Sequence, residues 1–129
     1  MNTDRLRSPL GRALGLGSAK EGVEHWWAQR TTAVALVPLA LWFVAALIGH
    51  LGTDHASAVA WLRSPLTAVA MILLVVATFA HMALGLQVVI EDYVHHEATK
   101  IASLVLVRLA CWALGAAALF AVLRVAFGS

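Results

Sequence analysis

From Thr31 to Thr53 the chain carries no Asp, Glu, Lys or Arg, and the same is true from Ser64 to Ile90. Each run exceeds the roughly 20 residues that an α-helix needs to cross the apolar core of a bilayer. No water satisfies a free N–H or C=O there, so a single run of this length has one stable backbone solution, the continuous helix. A third run, Ile101 to Phe127, is interrupted only by Arg108 and Arg124. With 61% hydrophobic and 12% charged residues, the composition lies outside the range of a soluble domain. The expected fold is all-α: an integral membrane bundle of three transmembrane helices at about 26–50, 65–93 and 100–127.

Residues 1–22, with "GLGS" at 15–18, read as a flexible or partner-bound arm without a fold of its own, and 23–129 as the transmembrane domain. The first 30 residues mix Arg5, Arg7 and Arg12 with Asp4, Glu21 and Glu24 and lack an apolar core. That is the composition neither of a cleaved leader nor of an acid-poor transit peptide, so the first span serves as the targeting signal and a bacterial inner membrane is preferred to a mitochondrial one. Arg5, Arg7, Arg12, Lys20, Arg30 and Lys100 stand on one side of the spans, against Arg63 and Arg124 on the other. Six against two puts the N-terminus in the cytoplasm.

"EHWWAQR" at 24–30 has the mix of tryptophan and charge found where a helix meets the headgroup layer. Pro38 inside the first span removes a hydrogen bond and should bend the helix. A short interfacial helix is expected near Ala56–Leu62, with His50 and His55 solvated beside it. Cys111 is the only cysteine, which excludes an internal disulfide and leaves it as a small packing residue. Small residues in "ALGAAALFA" at 113–121 favour close helix approach, and so little core in one chain suggests packing against other subunits.

"HMALGLQVVIEDYVHH" at 81–96 sets a histidine within an apolar run. At 1.5 Å per residue, His81 lies roughly 22 Å from one end of its helix and 16 Å from the other, near the bilayer centre. At about 100° per residue, Ala77, Gly85, Val88 and Asp92 share its face, and that stripe should face the bundle interior. An intramembrane ionisable group is costly and marks a function by default. Two readings stand: an imidazole bonded to a serine, threonine or carbonyl of a neighbouring helix, or an axial ligand of haem iron with Gly85 leaving room for the macrocycle. His25, His95 and His96 lie at one edge and His50 at the other, so a second axial ligand has to come from another subunit. If the first two helices are neighbours, "EDY" and "HWWAQR" meet. Tyr93 could then donate to a carbonyl oxygen, Asp92 relay protons and Arg30 pair with a carboxylate or phosphate, the parts of a quinone site or a propionate clamp. Arg108 reads as snorkelling to the surface, or as paired to a partner or a propionate.

"HWWAQRTTAVALVPLALW" at 25–42 followed by "HMALGLQVVIEDYVH" at 81–95 resembles the small, D-type membrane-anchor subunit of succinate dehydrogenase (succinate:quinone oxidoreductase, respiratory complex II), over nearly the whole chain beyond Glu21. The resemblance implies a non-catalytic subunit of an enzyme complex that, with a second hydrophobic anchor of cytochrome b type, docks a flavoprotein and an iron–sulfur subunit. Electrons taken from succinate would pass through iron–sulfur clusters to ubiquinone, supporting respiration and the tricarboxylic acid cycle. His81 matches the family's axial ligand of haem b, shared with the companion anchor. Tyr93 and Asp92 match its ubiquinone-site residues, and Arg30 and His25 lie where the family places haem propionates and the quinone pocket. Membrane lipid is the expected surrounding, and no nucleic-acid partner is expected. The alternatives are a cofactor-free structural or regulatory membrane subunit, a cytochrome b subunit of another quinone-linked complex, and the anchor of a related oxidoreductase such as fumarate reductase.

Overall fold

A computed structural model describes residues 8–13 and 21–128. Five helices and no strand occur among the described residues: α1 (Pro9–Ala13), α2 (Glu21–Gly49), α3 (His55–Arg63), α4 (Pro65–Tyr93) and α5 (Glu97–Phe127). Three of them, α2, α4 and α5, are long and apolar enough to cross a membrane. At about 1.5 Å per residue each is near 45 Å long, so its ends reach past a roughly 30 Å hydrocarbon core into the headgroup layers. The arm expected to lack structure contains the single short turn of α1, and α2 begins before residue 23, taking in Glu21 and Gly22. Arg5, Arg7, Lys20 and the "GLGS" stretch lie outside the described residues.

Local chemistry sets the helix ends. Gly52 turns the chain after α2 at φ +80°, a left-handed conformation that glycine adopts without a Cβ penalty. Asp54 caps α3, its carboxylate accepting from Ser57 N–H at 3.4 Å. The Ser57 hydroxyl and N–H, both donating, hold that carboxyl below its ordinary pKa. Pro65 opens α4 at its first turn, where a missing N–H costs nothing. His96 caps α5, its Nδ1 facing Thr99 N at 3.4 Å, so this histidine, expected as part of a solvated edge, has a structural task. α2 runs helical through Pro38.

α4 is the central helix. It packs against α2 on one side and α5 on the other, α3 lies against α4 and α5, and no contact joins α2 to α5 among the described residues. Antiparallel neighbours with short connections give this order. The buried hydrophobic side chains are few and small, Ala68, Ala77 and Cys111, because in lipid close backbone approach, rather than exclusion of water, holds helices together. Cys111 is a free thiol, 4% exposed, in the packing role expected of it. Within the small-residue stretch of α5 it is Gly115 that makes the close approach: a Cβ there would stand 3.2 Å from Phe79 Cγ. Gly115→Leu is therefore expected to destabilise the α4–α5 contact by about 1–3 kcal/mol. The reading is a lower inactivation temperature of the purified assembly, and an unchanged temperature would show that the two helices are not packed this closely.

Candidate functional site between helices α2 and α4

His81 projects from the middle of α4 towards α2 and meets Thr32 there, Nδ1 to Oγ1 at 3.0 Å. The same hydroxyl lies 2.8 Å from the carbonyl oxygen of Ala28 and 3.1 Å from that of Gln29. Carbonyls only accept, so the single hydroxyl proton is directed back onto its own helix. Oγ1 is then left to accept, and Nδ1 of His81 carries the ring proton. With the hydroxyl proton on the nearer carbonyl, that of Ala28, Nε2 keeps its lone pair; were it given to Nδ1 instead, Nε2 would carry the ring proton. No hydrogen bond to Nε2 forms among the described residues. A histidine anchored through Nδ1–H with Nε2 free is the arrangement of a metal-ligating imidazole.

One turn towards the edge, Gln29 lies beside Gly85, where an added Cβ would be 3.8 Å from Gln29 Nε2. That is ordinary contact, so Gly85 faces the α2 amide directly and acts as a helix-packing glycine within this chain. The pairs Thr32–His81 and Gln29–Gly85 fix an antiparallel register that brings His25 to the level of Val88. His25, Gln29 and Thr32 fall within about 60° of one another on α2, a polar stripe laid along the α4 contact. Two of its atoms, His25 Nε2 and Gln29 Oε1, are buried without a hydrogen-bond partner. Orphaned buried polar atoms are uncommon and call for a partner beyond the chain.

Arg30, Asp92 and Tyr93 are not drawn into this contact. No hydrogen bond joins any of them to His81 or to one another among the described residues, and all three are exposed, Tyr93 at 77%. Helical geometry supplies the reason. Arg30 stands about 200° around α2 from Thr32, on the side away from α4, and Tyr93 about 120° around α4 from His81. The Arg30 guanidinium instead lies over the Trp26 ring, 5.5 Å from its centroid. Asp92 does fall near the His81 face by angle, but from Val88, 40% exposed, that stripe is no longer covered. The expectation that the whole stripe faces the interior therefore holds from Ala77 to Gly85 and fails beyond, because α2 alone does not cover the end of α4.

Arg108 has a partner that the sequence reading did not name. Its Nη2 donates to Gln87 Oε1 at 3.1 Å, and Gln87 Nε2 donates to Glu91 Oε1 at 2.9 Å. The signal was present: Gln87 is an amide in an otherwise apolar run and stands one turn before Glu91, the spacing at which helical side chains meet. Thr32 and Gln29 were also missed, although the 3–4 residue spacing of His25, Gln29 and Thr32 marks a polar helix face. Among the described residues no group of three or more His, Cys, Asp or Glu side chains could hold a metal ion.

Comparison with known proteins bears on the chain as a whole. The profile of the family described as succinate dehydrogenase/fumarate reductase transmembrane subunits matches residues 4–123. The chain is 32% identical over 125 residues to the succinate dehydrogenase hydrophobic membrane anchor subunit of Paracoccus denitrificans, covering 97% of this chain and 96% of that one. It is 31% identical over 107 residues to the subunit of the same name from Rickettsia conorii, covering 82% and 85%. It is also 32% identical over 92 residues to the succinate dehydrogenase membrane anchor subunit of Reclinomonas americana, covering 69% and 77%. With three apolar spanning helices and a match along nearly its full length, the chain belongs to the succinate dehydrogenase/fumarate reductase transmembrane subunit family, among the hydrophobic membrane anchors of succinate dehydrogenase.

Proposed function

We propose that this anchor holds haem b jointly with a second hydrophobic anchor subunit, and borders a ubiquinone site at the membrane edge, in a complex whose flavoprotein and iron–sulfur subunits oxidise succinate. The observation that carries the reading is the Thr32–His81 contact, which leaves His81 Nε2 free in the middle of a membrane helix. The buried, unpartnered His25 Nε2 lies on the same contact and, as an N–H, would donate to a carboxylate side arm, while Gln29 Oε1 is an acceptor and calls for a donor. Haem b, when bound, supplies a one-electron redox centre inside the membrane. In this chain His81 would hold the group through its imidazole, and Thr32 would orient that ring from the neighbouring helix. The other ligand would come from the companion anchor.

At the edge, Tyr93 would donate a hydrogen bond to a quinone carbonyl oxygen, Asp92 would pass on a proton, and Arg30 would hold an anionic group. Their exposure in the single chain suits a pocket completed by partner subunits. The Lys and Arg distribution supports an orientation with the N-terminus and this edge on the cytoplasmic side of the membrane.

The quinone assignment is tested by Tyr93→Phe, which removes one hydroxyl and keeps the ring. A net hydrogen bond of about 1 kcal/mol corresponds to roughly a fivefold higher ubiquinone KM. Steady-state succinate:ubiquinone kinetics measure it, with the haem spectrum unchanged. A wild-type KM would remove Tyr93 from the site.

A further inference from the structure

At the end of the molecule opposite His25 and Tyr93, α3 and the last turns of α5 border an open groove of about 710 Å³ that the haem and quinone reading does not use. Two arginines, Arg63 and Arg124, and His55 line it, and Val59, Phe120 and Val125 form its apolar part. No acidic side chain lines it among the described residues, and the acid nearest in sequence, Asp54, is engaged in capping α3.

The end of α5 exposes carbonyls, the negative end of a helix, which by itself repels an anion. Arg63 offsets this: its Nε donates to Val125 O at 3.2 Å and its Nη2 to Gly128 O at 2.6 Å. A guanidinium has five N–H donors, so three remain for another acceptor. The Arg124 side chain has no hydrogen-bond partner among the described residues. Free, charge-assisted donors thus face a space whose other wall is apolar, where spanning helices leave the hydrocarbon core. Planar guanidinium groups match phosphate oxygens in pairs, and the apolar wall suits the first carbons of an acyl chain.

The geometry points to a binding site for one anionic phospholipid, its phosphate on Arg124 and the free N–H groups of Arg63, with His55 at the rim. The fold determines the choice of occupant. A free phosphate would leave the Val59, Phe120 and Val125 surface unmatched, and a zwitterionic lipid would bring a cation to a basic rim.

The test uses the whole complex, isolated in mild detergent through a tag on this chain, stripped of lipid and titrated with dioleoylphosphatidylglycerol or dioleoylphosphatidylcholine under native mass spectrometry. Wild type is expected to hold one phosphatidylglycerol about fivefold more tightly than phosphatidylcholine, the effect of one arginine near an anionic headgroup. Arg124→Gln should abolish that preference and Arg124→Lys keep it. Arg63 is left intact because its loss would uncap α5, and the measured mass reports intact assembly for each variant. Equal retention of the two lipids by wild type, or an unchanged preference in Arg124→Gln, would overturn the proposal. Displacement of the bound lipid by millimolar inorganic phosphate alone would overturn it too, assigning the site to the free anion.

Discussion

His81→Gln is expected to strip the b-type haem band from the isolated complex. Glutamine keeps a polar amide able to meet Thr32 but offers no imidazole nitrogen to iron, so the substitution separates ligation from helix packing. No other histidine of this chain lies near enough to replace it: His25, His95 and His96 lie at one edge of the spans and His50 at the other. The change should therefore be complete, a loss of the reduced α-band per bound flavin rather than a shift of it. An α-band of wild-type intensity in His81→Gln would reassign His81 to a bond between helices, the role it has in a cofactor-free anchor. Reading the band against flavin keeps the result meaningful if assembly yield falls.

The second large effect is expected at Thr32, which touches no cofactor in this reading and acts by positioning His81. Thr32→Val keeps the branched shape and removes the acceptor for Nδ1–H, leaving that proton unpaired at the helix contact. Lost partners of a metal-bound imidazole typically cost 10–100-fold in affinity. Haem should accordingly leave the Thr32→Val complex about 10–100 times faster when an apo-globin acceptor is added. Thr32→Ser, which restores the hydroxyl, should return the rate close to wild type. A purely structural role for Thr32 would lower thermal stability in both variants and leave haem release alone.

The spans were legible because charge is so costly in hydrocarbon that its absence over more than 20 residues nearly dictates the answer. For the same reason Arg63 and the capping Asp54 mark the limits of α3 in a short polar connection. The depth of His81 also followed from helical rise alone. Its partner did not, since the register between two helices is set by which small and polar side chains meet across them. Periodicity within α2 marks the stripe of His25, Gln29 and Thr32 but carries no information on which residue of α4 it will face.

The spatial arrangement of the edge residues was hidden for a related reason. Quoting Arg30, Asp92 and Tyr93 together assumes that closeness in sequence to the membrane edge means closeness in space, while rotation about each helix sends Arg30 and Tyr93 away from the α2–α4 seam. If these residues build a quinone pocket, subunits outside this chain close it. Arg108 shows the converse: an intramembrane cation expected to reach for the surface or a partner is satisfied at home by Gln87, which in turn is tied to Glu91.

The most direct test of the central claim is a dithionite-reduced minus air-oxidised absorption spectrum of the complex, captured from native membranes through a tag on this chain. A b-type α-band, at about one haem per flavin, is the predicted result for an anchor that shares one axial pair with its companion. A complex that keeps its flavin and its succinate oxidation but shows no such band would contradict the account, and His81 would stand as a histidine bonded to Thr32 and to nothing else.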